Sequence, residues 1–329
     1  MGEDELIEAI RKLLSGDHPG VVLGPGDDSA LVEMGDRLGL LTADMLVEGV
    51  DFEAGLISTH DLGYRSLVVN LSDVAAMGGS PRFAMVSLGM PKDTEPSWVV
   101  ELYGGLREAA DEYAVALVGG DLSRADQIVI SVALTGEVAS RGAITRGGAE
   151  PGDRVVVTGE LGGAAGGLLL ARERPRDAGS PWGRELLAAF GRPVARVGEG
   201  QTLAQFGATA MIDVSDGLSL DLARLCTASE TGAIVDEDRI PIHSSLVQLA
   251  SRIPEVDPWR LALQSGEDFE LVATLPGDVV DAAAATLKDR FGTPLTDIGE
   301  IVEGAGLSLR SADDTLTPIE PKGWDHFAR

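Results

Sequence analysis

The stretch from Asn70 to Gly78, NLSDVAAMG, places an amide, a hydroxyl and a carboxylate in a segment that otherwise has the composition of a buried helix. In a helix, Ser66, Asn70 and Asp73 fall at positions i, i+4 and i+7, so they lie on one polar stripe. The apolar residues of the segment form a second stripe, at Leu67, Leu71 and Val74. The spacing therefore predicts a helix that packs one side into a core and keeps a continuous polar side.

Acidic groups also occur beside glycine or apolar runs elsewhere in the chain. They are found in GPGDDSA (24–30), TAD (42–44), GGD (119–121) and DVSDGL (213–218). We expect each group to lie where a strand or glycine turn leads into the next element. In α/β proteins the loops at that edge of a sheet converge on ligands.

Segments of helical and strand character alternate along the chain. Residues Glu3 to Leu14 and Trp98 to Tyr113 have helical spacing, whereas QIVISVALTGEV (127–138) is rich in β-branched residues and predicts a long strand. Glycine and proline cluster in RGGAEPGD between two strand-like runs, which predicts a boundary near residue 149. A length of 329 residues favours two domains, 1–148 and 149–329, both of the α/β class.

The composition limits the classes of partner. A formal net charge of -27 argues against broad contact with nucleic acid or anionic lipid, because both need a cationic surface. Cys226 is the single cysteine, which excludes an internal disulfide and favours a reducing compartment. No run of about 18 apolar residues without a charge occurs, so we expect a soluble, cytoplasmic protein.

Carboxylates that share a partly dry cleft repel one another and resist ionisation. A divalent cation offsets both the repulsion and the cost of ionising buried carboxylates. Asp, Thr and Ser oxygens suit Mg²⁺, which also binds substrate phosphates. The lack of His and Cys groupings argues against zinc. One aspartate at a glycine turn is usually an Asx turn or a helix cap, whereas five such motifs in one chain favour a shared metal site.

Familiar phosphate-binding motifs do not account for these groups. The sequence has no G-x-x-x-x-G-K-[ST] motif. The glycines of TGELGGAAGG (158–167) do not fit G-x-G-x-x-G, and close helix packing explains them equally well. MIDVSDGLSL (211–220) is similar to the D-x-D-G-T start of aspartyl phosphatases, but Ser215 stands where the second acid should be.

Taken in order, the motifs resemble those of thiamine-monophosphate kinase, in the superfamily of aminoimidazole ribonucleotide synthetase and selenophosphate synthetase. The resemblance spans residues 24 to 327 and is carried by GPGDDSA, TADMLVEGVDF, NLSDVAAMGGSP, GGDLSR, TRGGAEPGD, DVSDGL, SGEDFEL and PKGWDHF. Selenophosphate synthetase needs a reactive cysteine or selenocysteine near its N-terminus, which this sequence lacks.

The resemblance implies ATP-dependent phosphorylation of thiamine monophosphate to thiamine diphosphate, with several Mg²⁺ ions between the two substrates. The implied metal ligands are Asp28, Thr42, Ala43 through its backbone, Asp44, Asp73, Asp121, Asp213 and Asp216. The implied ATP contacts are Tyr103, Gly120, Asp121, Arg146 and Ser215. The implied contacts to thiamine monophosphate are Asp51, Glu267 and Trp324.

Three of these residues have a simpler interpretation. Trp324 could anchor the C-terminus on the core, Tyr103 could face the protein interior from its helix, and Arg146 could pair with a surface acid. Asp51 departs from the family pattern, since many relatives have histidine there and an ionised carboxylate cannot donate a hydrogen bond.

The resemblance also implies a two-domain aminoimidazole ribonucleotide synthetase-like fold. Its N-terminal α/β domain, residues 1–148, would bind ATP and Mg²⁺ and pair with a second copy to form a homodimer. The larger C-terminal α/β domain, residues 149–329, would complete the active site.

The acceptor phosphate is already ionised at neutral pH, so the chemistry needs no strong base and no protein nucleophile. Direct in-line transfer is therefore the expected mechanism. The alternatives are another ATP-dependent member of the superfamily, such as aminoimidazole ribonucleotide synthetase, or a metal- and nucleotide-binding module without turnover.

Overall fold

The computed structural model describes residues 2–14, 16, 18–138, 142–324 and 326–327. The N-terminal half contains α1 (Glu3–Leu13), β1 (Val21–Leu23), β2 (Ala30–Met34), β3 (Arg37–Val47), α2 (Thr59–Ala76), β4 (Ser80–Met90), α3 (Pro96–Glu112), β5 (Ala116–Arg124) and β6 (Val129–Glu137). These strands form one sheet in the order β1-β2-β3-β6-β4-β5, in which only β4 and β5 run parallel.

The C-terminal half forms a second sheet. Its elements are β7 (Arg154–Thr158), α4 (Gly163–Glu173), α5 (Pro181–Gly191), α6 (Val197–Gln205), β8 (Ala210–Asp213), α7 (Leu218–Ala228), β9 (Gly232–Asp236), α8 (Ser244–Ala250), α9 (Pro258–Gln264), β10 (Leu271–Leu275), α10 (Val280–Phe291), β11 (Leu295–Val302), β12 (Gly306–Arg310) and β13 (Leu316–Ile319). The strand order is β13-β12-β9-β11-β7-β10-β8, with β12 and β9 as the parallel pair.

Helix α2 joins the two halves. Its apolar stripe at Leu67 and Leu71 is buried in the core of the first sheet, as the spacing predicted. Its end, at Ala75 and Ala76, belongs instead to a core shared with Met211 of β8 and residues of β7 and β10. Since α2 is packed by both sheets, it brings its polar residues to the junction between them.

Helices α2 and α3 pack closely on one face of the first sheet. A Cβ on Gly105 would lie 1.7 Å from the carbonyl oxygen of His60, so only glycine allows this approach. Along β3 and β4 the other face of the sheet is exposed, with apolar side chains more than a third accessible. These are Leu41, Met45, Phe83 and Met85. Within the described ranges, no helix is long and apolar enough to cross a bilayer.

Two of the acidic motifs are not at turns, contrary to expectation. TAD (42–44) lies inside β3, and GGD (119–121) lies inside the edge strand β5. The period-2 alternation of strand side chains explains why acidic residues fit there. In β3, Thr42 and Asp44 point to the helix-covered face, while Ala43 and Met45 point to the exposed one.

Candidate active site

Carboxylates from three separate segments converge at the junction of the two sheets. Asp28 lies between β1 and β2, Asp73 lies on α2, and Asp213 ends β8. Each offers an oxygen atom, and these oxygens lie within 4.8 Å of one another. All three were predicted metal ligands, and only the fold makes them neighbours.

Strand β3 adds two more predicted ligands to this cluster. The Thr42 hydroxyl donates a hydrogen bond to Asp73 Oδ2, and the backbone N–H of Asp44 donates to Asn70 Oδ1 at 3.0 Å. The polar stripe of α2 thus holds β3 against the helix. Ser66 does not take part, because its hydroxyl donates to the Leu62 carbonyl oxygen of its own helix at 2.7 Å.

Ser72 is a residue that the stripe did not predict. Its hydroxyl donates a 2.6 Å hydrogen bond to Asp213 Oδ2, and both side chains are buried. Ser72 directly precedes Asp73, so it reaches a neighbouring side of the helix. An i, i+4, i+7 pattern cannot identify such a residue, because the second sheet touches α2 on a different side from β3.

The cluster has the electrostatics of a cation site. Burial raises the pKa of Asp73 well above its usual range, and Asp44, Asp213 and Asp28 raise it further. Burial likewise raises the pKa of Asp213 well above its usual range, with Asp28 adding to the shift. The pKa of Asp44 rises to about 6, chiefly through burial. A positive charge would therefore stabilise the ionised cluster strongly.

Arg146 supplies one such charge. Its guanidinium group donates to Asp28 Oδ1, and its backbone N–H donates to Asp27 Oδ2 at 3.0 Å. The arginine therefore pairs with a buried acid, not with a surface acid. Asp28 Oδ2 and Arg146 Nε are buried and have no hydrogen-bond partner among the residues that the structure describes. A buried carboxylate oxygen with no protein partner fits a metal ligand, since such atoms are rarely left unsatisfied.

The DVSDGL segment forms a tight loop between β8 and α7. Asp221, at the first turn of α7, accepts hydrogen bonds from the N–H groups of Ser215, Asp216 and Gly217 at 3.1, 3.0 and 3.0 Å. Arg224 donates to both Asp216 and Asp221. Burial raises the pKa of Asp221 to about 7, and Asp216 adds to the rise. Asp221 therefore shapes the backbone that presents Ser215 and Asp216.

A cavity of about 690 Å³ opens from this cluster. Eight of the predicted site residues line it: Asp44, Asp51, Asp73, Asp213, Ser215, Asp216, Glu267 and Trp324. The same cavity that the carboxylates line is also lined by Phe52, Phe190 and Phe269. The cavity thus joins an ionic end to an aromatic end.

Glu267 is held in position by a buried cation. Arg65 of α2, only 1% exposed, donates to Glu267 Oε1 and to the Phe190 carbonyl oxygen. Its guanidinium carbon lies 5.3 Å from the centroid of the Phe190 ring. Glu267 has a positive φ of 70°, which is uncommon for a residue with a Cβ and typical of functional sites. Arg65 was not predicted from the sequence, because it lies on α2 far from the SGEDFEL motif.

Asp51 and Trp324 approach the cavity from opposite halves of the chain. Asp51 Oδ2 accepts from the backbone N–H of Val47 at 2.7 Å, which fixes the loop after β3. The backbone N–H of Trp324 donates to the Asp216 carbonyl oxygen at 3.0 Å, while its side chain is 51% exposed. Trp324 is therefore attached through its backbone and not through packing in the core. Asp325 of the same motif lies outside the described residues.

Seven predicted site residues do not line this cavity: Asp28, Thr42, Ala43, Tyr103, Gly120, Asp121 and Arg146. Asp28 belongs to the adjacent carboxylate cluster, which Thr42 and Arg146 contact, and Ala43 lies between Thr42 and Asp44 on β3. Gly120 and Asp121 lie on the edge strand β5, where Gly120 is aligned with Asp44 through β4 and β6. Three strand spacings of about 4.8 Å correspond to a separation of roughly 14 Å. Tyr103 lies on α3, half-buried against the core of the first sheet.

Comparison with known proteins identifies the family. Residues 26–138 match the N-terminal domain of AIR synthase related proteins, and residues 150–311 match the C-terminal domain of the same family. A thiamine-monophosphate kinase of Bacillus subtilis is 37% identical over 317 residues, which cover 94% of this chain and 95% of that protein. The chain belongs to the thiamine-monophosphate kinase family. A second relative, the thiamine-monophosphate kinase of Aquifex aeolicus, is 34% identical and covers 99% of this chain and 98% of its own length.

Solved structures of thiamine-monophosphate kinases have the same architecture. The structure of AaThiL complexed with AMPPCP and TMP is 34% identical, has a TM-score of 0.85, and covers 99% of this chain and 97% of its own. Escherichia coli HypE, at 19% identity and a TM-score of 0.73 over 98% of both chains, shares the fold alone. The two-domain aminoimidazole ribonucleotide synthetase-like fold expected from the sequence is confirmed.

Proposed function

We propose that this protein transfers the γ-phosphoryl group of ATP to the phosphate of thiamine monophosphate, giving thiamine diphosphate and ADP. The observation that carries this proposal is the joining of a buried carboxylate cluster to an aromatic-lined region in one cavity. Family membership supports the same reaction, since the relatives are thiamine-monophosphate kinases and AaThiL binds AMPPCP and TMP.

Several Mg²⁺ ions complete the proposed site. Asp28, Thr42, Asp44, Asp73, Asp213 and Asp216, with the backbone of Ala43, would hold them. The unpartnered Asp28 Oδ2 and the mutual proximity of Asp28, Asp73 and Asp213 support this ligand set. When bound, Mg²⁺ supplies the positive charge that lets two phosphate-bearing molecules meet.

The remaining groups at the ionic end position the nucleotide. We assign Ser215 and Arg146 to contacts with ATP, and the Asp221 carboxylate holds the loop that presents Ser215. The attacking atom is a phosphate oxygen that is ionised at neutral pH, so no side chain has to remove a proton. Direct in-line transfer requires positioning and charge stabilisation, and both fit a rigid loop with no protein nucleophile.

The aromatic end suits the organic part of thiamine monophosphate, which carries a cationic thiazolium ring. Asp51 and Glu267 provide carboxylates there, and Trp324 provides an aromatic ring. Both kinds of group attract a cationic heterocycle. In this chain Asp51 has its carboxylate bonded to the Val47 N–H, so we assign it a role in loop geometry and in charge complementarity.

A second copy of the chain would complete the site. Tyr103, Gly120 and Asp121 lie outside this chain's own cavity, and Asp121 is exposed. The exposed face of the first sheet carries Leu41, Met45, Phe83 and Met85, which would be covered in a homodimer. Solvent-exposed apolar patches of this kind mark interfaces. We propose that the copy packed on this face brings its Asp121 to the nucleotide.

We also propose a division of roles between the two domains. Residues 1–148 would carry the metal, nucleotide and dimer contacts, and residues 149–329 would supply Asp213, Ser215, Asp216, Glu267 and Trp324. The last strand of the first sheet ends at Glu137 and the second sheet begins at Arg154, which supports a boundary between them. A buried Cys226 as the single cysteine supports a cytoplasmic location.

One assay tests the proposed reaction. Purified protein is incubated with Mg²⁺, ATP and thiamine monophosphate, and thiamine diphosphate is measured by chromatography. We expect stoichiometric formation of thiamine diphosphate and ADP, and none without Mg²⁺. ADP released only with formylglycinamidine ribonucleotide would point to aminoimidazole ribonucleotide synthetase, and nucleotide binding without turnover would point to a module without catalysis.

A further inference from the structure

The C-terminal segment Pro321–Phe327 is attached to the loop that carries Asp216. The Ser219 hydroxyl donates to the Lys322 carbonyl oxygen at 2.7 Å, and the Lys322 N–H donates to Ser219 Oγ at 3.1 Å. A Cβ on Gly323 would lie 2.5 Å from the Asp216 carbonyl oxygen, so the segment approaches this loop as closely as glycine allows. The backbone before Trp324 is therefore fixed relative to the ionic end of the cavity.

The indole ring of Trp324 contacts His326. Half of the side chain is exposed, and its Nε1–H donates to Nδ1 of His326 at 3.3 Å. The two rings meet edge to face, with centroids 5.8 Å apart and planes at 90°. His326 therefore determines which way the indole faces.

His326 lies against two segments from the N-terminal half. Its backbone N–H donates to Glu3 Oε2 at 3.3 Å, and its Nδ1 lies 3.8 Å from Asp51 Oδ1. Glu3, Asp51, Trp324 and His326 all line the cavity. The imidazole thus connects the C-terminal segment to the loop after β3 across the opening of the site.

We propose that His326 is a positioning residue that fixes the orientation of the Trp324 indole in the cavity lining and so determines the affinity for the heterocyclic cation of the acceptor. This inference rests on the proposed function, because the acceptor is thiamine monophosphate. Attraction between a cation and an aromatic ring needs the ring face turned toward the charge. A ring already held in that orientation loses less rotational freedom on binding.

His326 should affect the binding of the acceptor and not the binding of the nucleotide. His326 contacts Trp324, Asp51 and Glu3, and among the described residues none of its hydrogen bonds or ion pairs involves a predicted ATP or metal residue. Removal of the imidazole should therefore weaken the binding of the acceptor and leave the binding of ATP unchanged. If His326 only stabilised the fold, its removal would weaken the binding of both substrates or lower the overall stability.

The experiment compares two substitutions at one position. His326→Leu removes the acceptor atom, whereas His326→Asn places an amide oxygen close to the position of Nδ1. We expect His326→Leu to raise KM for thiamine monophosphate about fivefold or more, with kcat and KM for ATP within about twofold of the wild type. His326→Asn should recover most of the lost affinity. Glu320→Gln, an exposed change directly before this segment, is the control and should leave all constants unchanged.

A second measurement does not depend on activity. The time-resolved fluorescence anisotropy of Trp324 is obtained as the difference between proteins with and without Trp324→Phe, in the His326 and the His326→Leu backgrounds. Faster depolarisation in His326→Leu supports the inference. Unchanged anisotropy, an unchanged KM for thiamine monophosphate, or equal losses for both substrates would overturn it. A wild-type protein that makes no thiamine diphosphate would instead refute the proposed function.

Discussion

The Ser72 hydroxyl donates a 2.6 Å hydrogen bond to Asp213 Oδ2 and so connects helix α2 to the end of strand β8. Both residues are buried, and they come from elements that build different sheets. Asp73 follows Ser72 in the chain, so the same bond sets the distance between two carboxylates of the cluster. The geometry of the candidate metal site thus depends on one contact between the two halves.

Substitution of Ser72 by alanine should loosen the metal site. The Ser72 hydrogen bond lowers the pKa of Asp213, so its loss makes the ionised carboxylate less favourable and less well placed. We expect the affinity for Mg²⁺, measured by isothermal titration calorimetry, to fall about tenfold. Ser66→Ala is a matched control, because its hydroxyl donates to the Leu62 carbonyl oxygen of the same helix. Equal Mg²⁺ affinity in Ser72→Ala and the wild type would contradict the assignment.

Removal of single carboxylates should abolish most of the activity. Asp73→Asn and Asp216→Asn should each lower kcat by at least about tenfold, because each removes a proposed metal ligand. The readout is the rate of thiamine diphosphate formation at saturating substrates. Asp153→Asn serves as the control, since this buried aspartate bonds to the Glu150 N–H and the Thr209 hydroxyl away from the cavity. If Asp73→Asn and Asp216→Asn leave turnover unchanged, the acidic cluster has no catalytic role.

A charge on the exposed sheet face should separate the proposed dimer. Met85 is 52% exposed on this face, and Met85→Glu would place an unpaired carboxylate in the interface. We expect sedimentation velocity to show a monomer and the activity to fall with it. Val247→Glu changes an equally exposed apolar residue on α8 and should alter neither. A monomeric wild-type protein with full activity would exclude the shared site.

Mixing two inactive variants tests whether Asp121 acts in the partner's site. In a homodimer with shared sites, an Asp73→Asn chain paired with an Asp121→Asn chain contains one intact site and one doubly altered site. Random exchange of subunits should therefore restore about a quarter of the wild-type activity. Each variant alone should stay inactive. No recovery after denaturation and refolding together would show that Asp121 does not act across the interface.

The pH dependence of stability should change when Asp268 is replaced. Burial raises the pKa of Asp268 to about 7 despite hydrogen bonds from the N–H groups of Gly162 and Ala164, at 2.6 and 3.2 Å. The folded protein therefore keeps this proton over a range in which the unfolded chain has released it. Above the usual aspartate pKa of about 4, rising pH then favours unfolding until about pH 7, beyond which the effect is constant.

The measurement is the difference in free energy of unfolding between the wild type and Asp268→Asn, from urea titrations at pH 4.5 and pH 8. We expect the free energy of unfolding of the wild type to fall relative to that of Asp268→Asn as the pH rises, by no more than about 4 kcal/mol. Asp278→Asn, at an exposed position, should show no comparable trend. A difference that is flat across this range would mean that Asp268 is ionised throughout.

Local patterns in the sequence predicted much of the secondary structure. Helical spacing predicted α1 at Glu3–Leu14, and the structure has Glu3–Leu13. The predicted helix Trp98–Tyr113 begins earlier, at Pro96, because proline suits the first turn of a helix. The β-branched run 127–138 is strand β6, Val129–Glu137, in the interior of the sheet order. Such features depend on the periodicity of side chains within one helix or strand, and that periodicity can be read directly from the sequence.

The site residues could be identified from the sequence for a similar reason. Aspartates such as Asp28, Asp73 and Asp213 sit in distinctive motifs, and their chemistry suggests a hard cation. Their roles as ligands remain a proposal. Arg65 and Ser72 were missed, since each acts on a residue that is far away in sequence. His326 was missed although it lies in the PKGWDHF motif, since its contacts with Glu3 and Asp51 arise only in the fold. Glu267, for example, lies 202 positions after Arg65.

The sequence by itself determined the α/β class, the family, and the set of acidic residues available for a metal, because these follow from composition, periodicity and local motifs. Only the tertiary structure decided which of those residues meet. It placed TAD and GGD inside strands, brought Thr42 to Asp73 and Ser72 to Asp213, and left Asp121 three strands from Asp44. The physical reason is that the packing of α2 between two sheets, and the register of β3, β6, β4 and β5, arise from contacts across the whole chain.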